Sequence, residues 1–369
     1  MRFLVTSTAG AGHYGPLAPF VRSFMDGGHD VLVAGPPGLR ASVAGAEFWA
    51  VDDPPQDELA ATFARAGSLP HDEANVVVVR EVFGRLDATA AVPRLREAIT
   101  SWRPDVVVRE TADFGGAVAA ELHGLPHARV AIGLGAMERA LTELAAPTVD
   151  ALRHSYGLSG PHRLEEAPHL TLFPAGLDDA AGRSLRFRDP SWRAAEPGPV
   201  PFVYVTFGSV AGRMSMLADV FAAALDAVAD LDAEVVLTVG RDADPASFGP
   251  APPHVRIERW VNQAEVLARA SAIVCHGGGG STLGALAAGV PLVVVPLFAM
   301  DQHANAARIA AVGAGVHTEP SGIRAALEAV LTEPSYRTAA RALAAELAAH
   351  PSTDEAAGAL AAHWSGVDR

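Results

Sequence analysis

Lysine is absent from this chain of 369 residues, so all 28 basic side chains are arginine. Schiff-base chemistry and the lysine of a Walker-type phosphate loop are excluded together. Cysteine occurs once, at Cys275, which excludes an intramolecular disulfide and a thiolate-rich metal centre. No apolar run reaches membrane-spanning length, and the opening MRFLVTSTAG lacks the long apolar core of a signal peptide. A net charge of −14 and a pI near 5.4 argue against nucleic acid or an anionic membrane as partner. The expectation is a cytoplasmic protein, monomer or homodimer, that works on small molecules.

What is present is apolar and finely divided. Half of the residues (50%) are hydrophobic and the mean hydropathy is +0.20, enough for large cores in two domains of ordinary size. Short apolar runs read as strands over Arg2–Ser7, His29–Ala34, Glu47–Val51, Pro104–Glu110, His127–Ile132 and His169–Phe173. Helical stretches separate them, with a loop over Thr8–Gly15 and a helix from Pro16. Asp52–Pro70 reads as irregular, Asn75–Thr100 as one helix and Met137–Tyr156 as another. Arg183–Pro201 carries four prolines and no periodicity, and the pattern then restarts with a strand at Phe202–Phe207 and a helix at Met214–Ala229. The predicted organisation is a first domain over 1–185, a linker over 186–201, a second domain over 202–350 and a closing helix over 351–369. Both domains read as doubly wound α/β, which places ligands at the carboxyl ends of strands, facing a shared cleft.

Ser271–Asn305 carries the most chemistry. An apolar strand, Ala272–Cys275, runs into His276 and four glycines, Gly277–Gly280. Ser281 reads as the N-cap of a helix closed by Gly289. Such a loop lets backbone N–H groups approach a phosphate at the positive end of a helix. His276 adds a side-chain donor, and Gly278, Gly279, Gly280 and Ser281 form the cradle. Asp301 and Gln302, past the next strand, are suited to bond sugar hydroxyls. Thr206 and Ser209, in TFGS, are further phosphate donors, with an ordinary turn as the alternative. In WVNQ, Trp260 could stack on a nucleobase, Val261 would lie beside it and Gln263 would reach the ribose; core packing is the alternative for the tryptophan.

The first half offers a base. Gly10, Gly12 and Gly15 spell the dinucleotide fingerprint, but the second strand ends Val33-Ala34-Gly35 without the acid that the fingerprint needs. His13, at the end of the first strand, is suited to take a proton from an attacking hydroxyl near neutral pH. Glu110, at the end of the fourth strand, is the leading carboxylate to orient it, and Asp113 the second; a loop carboxylate or helix N-cap is the alternative for either. Two Asp-x-Asp pairs, Asp230/Asp232 and Asp242/Asp244, read as solvated turns, and no metal site is expected.

GAGHYGP, TFGS, WVNQ, HGGGGSTLGALAAGVP and DQHANA together resemble the family 1 nucleotide-sugar glycosyltransferases, in the style of bacterial enzymes that decorate antibiotics and other natural products. The resemblance implies the GT-B fold, two Rossmann-like domains facing a central cleft, and an inverting transfer needing neither metal nor cofactor. The donor would bind the second domain, and a hydrophobic acceptor the first. By matching motif, His13 would be the general base, Glu110 its partner, and His276 with the glycine loop the diphosphate site. The final helix, near Trp364, would pack on the first domain. Gly284 stands where plant relatives carry a glutamate for the ribose hydroxyls, which fits a thymidine (deoxyribose) donor better than a uridine one. Gly12, Phe63, Phe83 and Met137 are the acceptor-side candidates. A uridine-diphosphate-sugar transferase, a catalytically silent auxiliary protein of the same fold, a nucleotide-sugar epimerase or hydrolase and a nicotinamide oxidoreductase are the alternatives.

Overall fold

Branched apolar runs that are buried on both faces form parallel strands covered by helices. The computed structural model describes residues 1–178, 184–209, 211–214 and 217–367. In the first half, Arg2–Thr6 (β1), Asp30–Gly35 (β2), Glu47–Ala50 (β3), Val106–Glu110 (β4), His127–Val130 (β5), His169–Thr171 (β6) and Leu185–Arg186 (β7) build one seven-stranded sheet. Its order is β3-β2-β1-β4-β5-β6-β7, parallel throughout. Helices Ala11–Asp26 (α1), Gln56–Ala66 (α2) and His71–Val77 (α3), a π-helix over Val78–Asp87, and helices Ala88–Trp102 (α4), Phe114–Leu122 (α5) and Gly135–Ser155 (α6) lie between the strands in sequence. On one face, Leu4, Leu32 and Val107 of the sheet bury against Leu95, Ile99 and Ala120 of α4 and α5.

Strand order reverses at β1, which pairs with both β2 and β4. That is the switch point where open α/β sheets bind ligands. Thr6 pairs with Arg109, so Ser7 and Glu110 emerge side by side at the carboxyl ends of β1 and β4.

The second half repeats the logic. Phe202–Thr206 (β8), Glu234–Thr238 (β9), Val255–Glu258 (β10), Ala272–Cys275 (β11), Leu292–Val294 (β12) and Gly315–His317 (β13) form a parallel six-stranded sheet in the order β10-β9-β8-β11-β12-β13. Its helices are Ala218–Val228 (α7), Gln263–Leu267 (α8), Gly279–Ala288 (α9), Met300–Ala311 (α10), Ile323–Thr332 (α11) and Pro334–Ala349 (α12). Val203, Val205, Phe207, Phe221, Leu237, Val274 and Leu327 form its core. Cys275 pairs with Thr206 and Val294, so His276 leaves the sheet beside Phe207.

The chain crosses between two compact units more than once. One comprises Met1–Leu172, Ala180–Pro190 and Pro351–Arg369; the other comprises Phe173–Asp179 and Ser191–His350. The last segment carries Ala356–Val367 (α13) and is tied to α1 within the first unit. Ser23 Oγ lies 2.7 Å from Thr353 Oγ1 and donates to Asp354 Oδ1, also at 2.7 Å. The stretch expected to be a linker, 186–201, opens with Arg186 in β7 and the buried Phe187, both in the first unit. β7 has two residues, too few to show a period in sequence.

Several local expectations change. α1 starts at Ala11, so His13 lies in its first turn and not in a loop. The supposedly irregular Asp52–Pro70 contains α2, with Asp57 and Glu58 in its first turn and Arg65 in its last, charges that favour a helix dipole. The single helix expected over Asn75–Thr100 is helical from His71 to Trp102, but with the π-helix in its middle. The helix expected from Met214 begins over Ser215 and Met216, which lie outside the described residues, as does 179–183 at the end of the first predicted domain. Among the described residues no helix is long and apolar enough to cross a membrane.

Candidate active site

In the first unit the site grows from the β1–β4 register. Glu110 is fully buried at the end of β4. Its Oε1 accepts from Thr8 Oγ1 at 2.8 Å, and its Oε2 from the Ala112 N–H. His13 Nδ1 reaches the same Oε1 at 3.1 Å. An ionised carboxylate only accepts, so Nδ1 carries the hydrogen and Nε2 the lone pair. Burial alone would raise the Glu110 pKa; the charge of His13 and the bonds from His13, Thr8 and Ala112 outweigh it and hold the group below the usual range. The result is a histidine oriented by a buried carboxylate partner, the arrangement a general base requires.

Asp113, the second carboxylate expected beside His13, is placed differently. It is the N-cap of α5, its Oδ1 accepting from the Gly116 N–H at 2.9 Å. Burial and then the Glu110 charge push its pKa up to about 6. Of the acceptor-side candidates, Phe83 lies with its ring 5.0 Å from the His13 ring. Gly12 is exposed in the first turn of α1, Phe63 is exposed on α2, and Met137 is buried in α6.

In the second unit Gly278 is the N-cap of α9, so Gly279, Gly280 and Ser281 form its first turn. Ser281 is therefore inside the helix and not its cap; its Oγ donates to Gln263 Oε1 at 3.3 Å. The N–H groups of a first helical turn have no intrahelical partner and point outward, which suits an anion. Two glycines make the loop possible. Gly277 has φ 86°, and a Cβ there would lie 2.8 Å from the Gln302 carbonyl oxygen. At Gly278 a Cβ would sit 2.5 Å from His276 Nε2. Burial lowers the His276 pKa to about 4, so the ring is neutral near pH 7; its Nδ1 has no hydrogen-bond partner among the described residues.

The remaining donor-side residues divide. Thr206 is buried, its Oγ1 accepting from the Gly208 N–H at 3.4 Å, while Ser209 is exposed. Trp260 is 53% exposed, with the Arg241 guanidinium 4.1 Å from its ring centroid; Val261 beside it is half-buried. Gln263 Nε2 donates to the Gly280 carbonyl at 3.1 Å, holding α8 to the glycine loop. Asp301 and Gln302 stand in the first turn of α10. Gln302 is buried, and its Oε1 accepts from the N–H groups of Leu297 and Phe298 at 2.8 and 3.1 Å. Its carboxamide oxygen thus braces the loop after β12, a task different from the sugar contact expected of it. Asp244, of one Asp-x-Asp pair, accepts from the Ala246 N–H and caps a short 3-10 helix. Among the described residues no group of three or more His, Cys, Asp or Glu could hold a metal ion.

Residues 22–165 match the N-terminal domain of erythromycin biosynthesis protein CIII-like proteins, and residues 222–363 match the C-terminal domain. The chain belongs to this family of natural-product glycosyltransferases. The elloramycin glycosyltransferase ElmGT of Streptomyces olivaceus is 33% identical to it over 98% of this chain and 97% of the relative. The L-demethylnoviosyl transferase of Streptomyces niveus is 32% identical over 98% of each. Among solved structures, the glycosyltransferase SnogD from Streptomyces nogalater superposes with a TM-score of 0.80 at 26% identity, over 98% of this chain and 99% of that one. The glycosyltransferase VinC, in complex with DTDP, gives 0.77 at 26% identity over 98% of each. The two parallel-sheet units are those of the GT-B fold.

Three residues of this glycosyltransferase escaped the sequence reading. Thr8 donates to Glu110, and Arg109, buried in β4, donates to the Glu110 and Thr111 carbonyls at 3.2 and 2.9 Å. Asn305, fully buried in α10, donates to the Gly277 carbonyl at 2.7 Å and so fixes the glycine loop from below. Asn305 lies inside the DQHANA motif, and that motif was the available signal.

Proposed function

We propose that this glycosyltransferase moves a deoxyhexose from a thymidine diphosphate sugar to a hydroxyl of a hydrophobic natural-product aglycone, by an inverting displacement without metal. The observation that carries the reading is the hold of Glu110 on His13. His13 Nε2 takes the proton of the acceptor hydroxyl as its oxygen bonds to the anomeric carbon. The bond from that carbon to the diphosphate breaks, and Glu110 stabilises the imidazolium that results. A direct attack from the side opposite the leaving group inverts the carbon. Thymidine diphosphate leaves into the glycine loop, where the first-turn N–H groups of α9 and His276 offset its charge.

Gln263 supports the thymidine assignment. A Cβ at Gly284 would lie 2.8 Å from Gln263 Nε2, so the glutamine amide occupies the room where a longer residue 284 would stand. No carboxylate is then available there for a ribose 2′-hydroxyl. The solved relative VinC in complex with DTDP fits the same donor class. Calorimetry with thymidine and uridine diphosphates tests the donor. About tenfold or tighter binding of the thymidine form is expected, roughly one hydrogen-bond's worth of discrimination; equal affinities would end the deoxyribose argument. Turnover in a chelator should match turnover without one, and loss of activity restored by a divalent ion would sink the metal-free reading.

A further inference from the structure

Strand pairing in the first unit gathers basic side chains on one face of its sheet. The register puts Thr6 of β1, Arg109 of β4, Arg129 of β5 and His169 of β6 in one row. His127, two residues before Arg129 on β5, lies on the same face. Adjacent strands are about 4.8 Å apart, so side chains paired in this way are neighbours. Arg109, Arg129 and His169 are 1%, 9% and 6% exposed. Among the described residues, five buried nitrogens of this cluster have no hydrogen-bond partner: Arg109 Nε, His127 Nε2, Arg129 Nε and Nη1, and His169 Nε2.

The carboxylates at hand are committed elsewhere. Glu138 of α6 accepts from the Ile132 and Gly133 N–H groups, both at 3.0 Å, and from Thr111 Oγ1. Its Oε2 stands 3.5 Å from His169 Nε2, too far for a good hydrogen bond. Glu110 is filled by Thr8, Ala112 and His13. Asp113 keeps one unpartnered oxygen, Oδ2, but a Cβ at Gly116 would clash with both that oxygen and Thr6 Oγ1. Asp113 Oδ2 therefore lies over β1, on the side of Arg109 away from Arg129. Burial and then the Arg129 charge lower the Arg109 pKa to about 10, which leaves it a cation at neutral pH.

A guanidinium N–H can only donate, and a buried donor without a partner is costly. A water taken up by these arginines would bring two hydrogens of its own, with no acceptor beside them to receive either. An anion only accepts. We propose that the first unit binds a small monovalent anion of halide size between Arg109 and Arg129, with His127 and His169 beside it. A single charge costs far less to dehydrate than the double charge of sulfate or phosphate, which favours a halide in so buried a place. Arg109 Nη1 also donates to the Glu110 and Thr111 carbonyls, so the ion would steady the turn from which Glu110 holds His13. The inference goes beyond sugar transfer and depends on neither the donor nor the acceptor.

Two measurements on the whole chain, both without nucleotide, test it. In the first, the wild-type protein is melted as sodium chloride replaces sodium gluconate at constant ionic strength. The melting temperature should rise along a saturating curve, by about 5 °C at the plateau. Arg129→Leu, which removes two of the unpartnered donors, should melt at the same temperature in both salts. A wild type indifferent to chloride, or a chloride dependence that survives Arg129→Leu, overturns the proposal. In the second, wild-type crystals are grown in sodium bromide. An anomalous peak should stand within hydrogen-bond reach of the Arg109 and Arg129 nitrogens. No such peak, whether or not an ordered water takes its place, overturns the proposal, and this measurement decides alone if Arg129→Leu fails to fold. Failure of either would leave the transferase reading untouched, since no sugar or nucleotide enters the test.

Discussion

His13 and His276, each within its own unit, have different partners. His13 Nδ1 is held by the buried Glu110 carboxylate at 3.1 Å. His276 has no such partner, and burial holds its pKa down at about 4. A histidine depressed in the folded state costs no stability above the unfolded value of 6.5; the cost appears as pH falls through 6.5 and is complete near pH 4. His276→Asn should remove about 2 kcal/mol of that acid sensitivity, the part-exposed ring being allowed for. Denaturant titrations at pH 4.5 and 7.5 check this, and an unchanged difference between the two would show that His276 titrates normally. At this scale the sequence was informative where one neighbour suffices. His13 and Glu110 were legible because β1 and β4 end side by side, Glu110 closing β4 and His13 following β1 in the first turn of α1. Thr8, Arg109 and Asn305 were not, because their roles depend on hydrogen bonds that no spacing displays.

Among the elements, the loop from β11 into α9 is the most constrained. Asn305 holds it from α10, Gln263 from α8, and Gln302 braces the neighbouring loop. Gly278→Ala would put a methyl 2.5 Å from His276 Nε2, so the ring or the loop must move. The variant should stay folded, because the loop lies outside both sheets, but bind thymidine diphosphate about a hundredfold more weakly. Calorimetry measures it; affinity within about threefold of wild type would show that the ring is not part of the phosphate site. This element was legible in sequence, strand, glycines and Gly289 cap included, since each is a local signal. α2 was missed although Asp57, Glu58 and Arg65 mark its ends, because flanking prolines suggested an irregular stretch. The π-helix left no trace in a pattern read at 3.6 residues per turn.

Across the molecule, both sheets were legible as alternating strands and helices, whereas the repeated crossing of the chain between units was not. Only contacts reveal that 173–179 belongs with the second unit and 351–369 with the first. Ending the chain at His350 would remove Thr353, Ala356 and Leu360, all fully buried, together with the bonds of Thr353 and Asp354 to Ser23. Such a truncation should cost the first unit about 2–5 kcal/mol, as loss of core side chains does. Thymidine diphosphate affinity should persist, because the residues of the cradle lie in the second unit. Calorimetric melting with and without the nucleotide separates the two effects, and equal loss of both would contradict this division of labour.

The central claim is that His13 acts on the acceptor's proton and the second unit holds the donor. Its most direct test measures turnover and thymidine diphosphate affinity together in His13→Ala. Turnover should fall by about two to four orders of magnitude, the range of a lost general base, with affinity unchanged. Near-native turnover, or affinity lost in step with turnover, would contradict it.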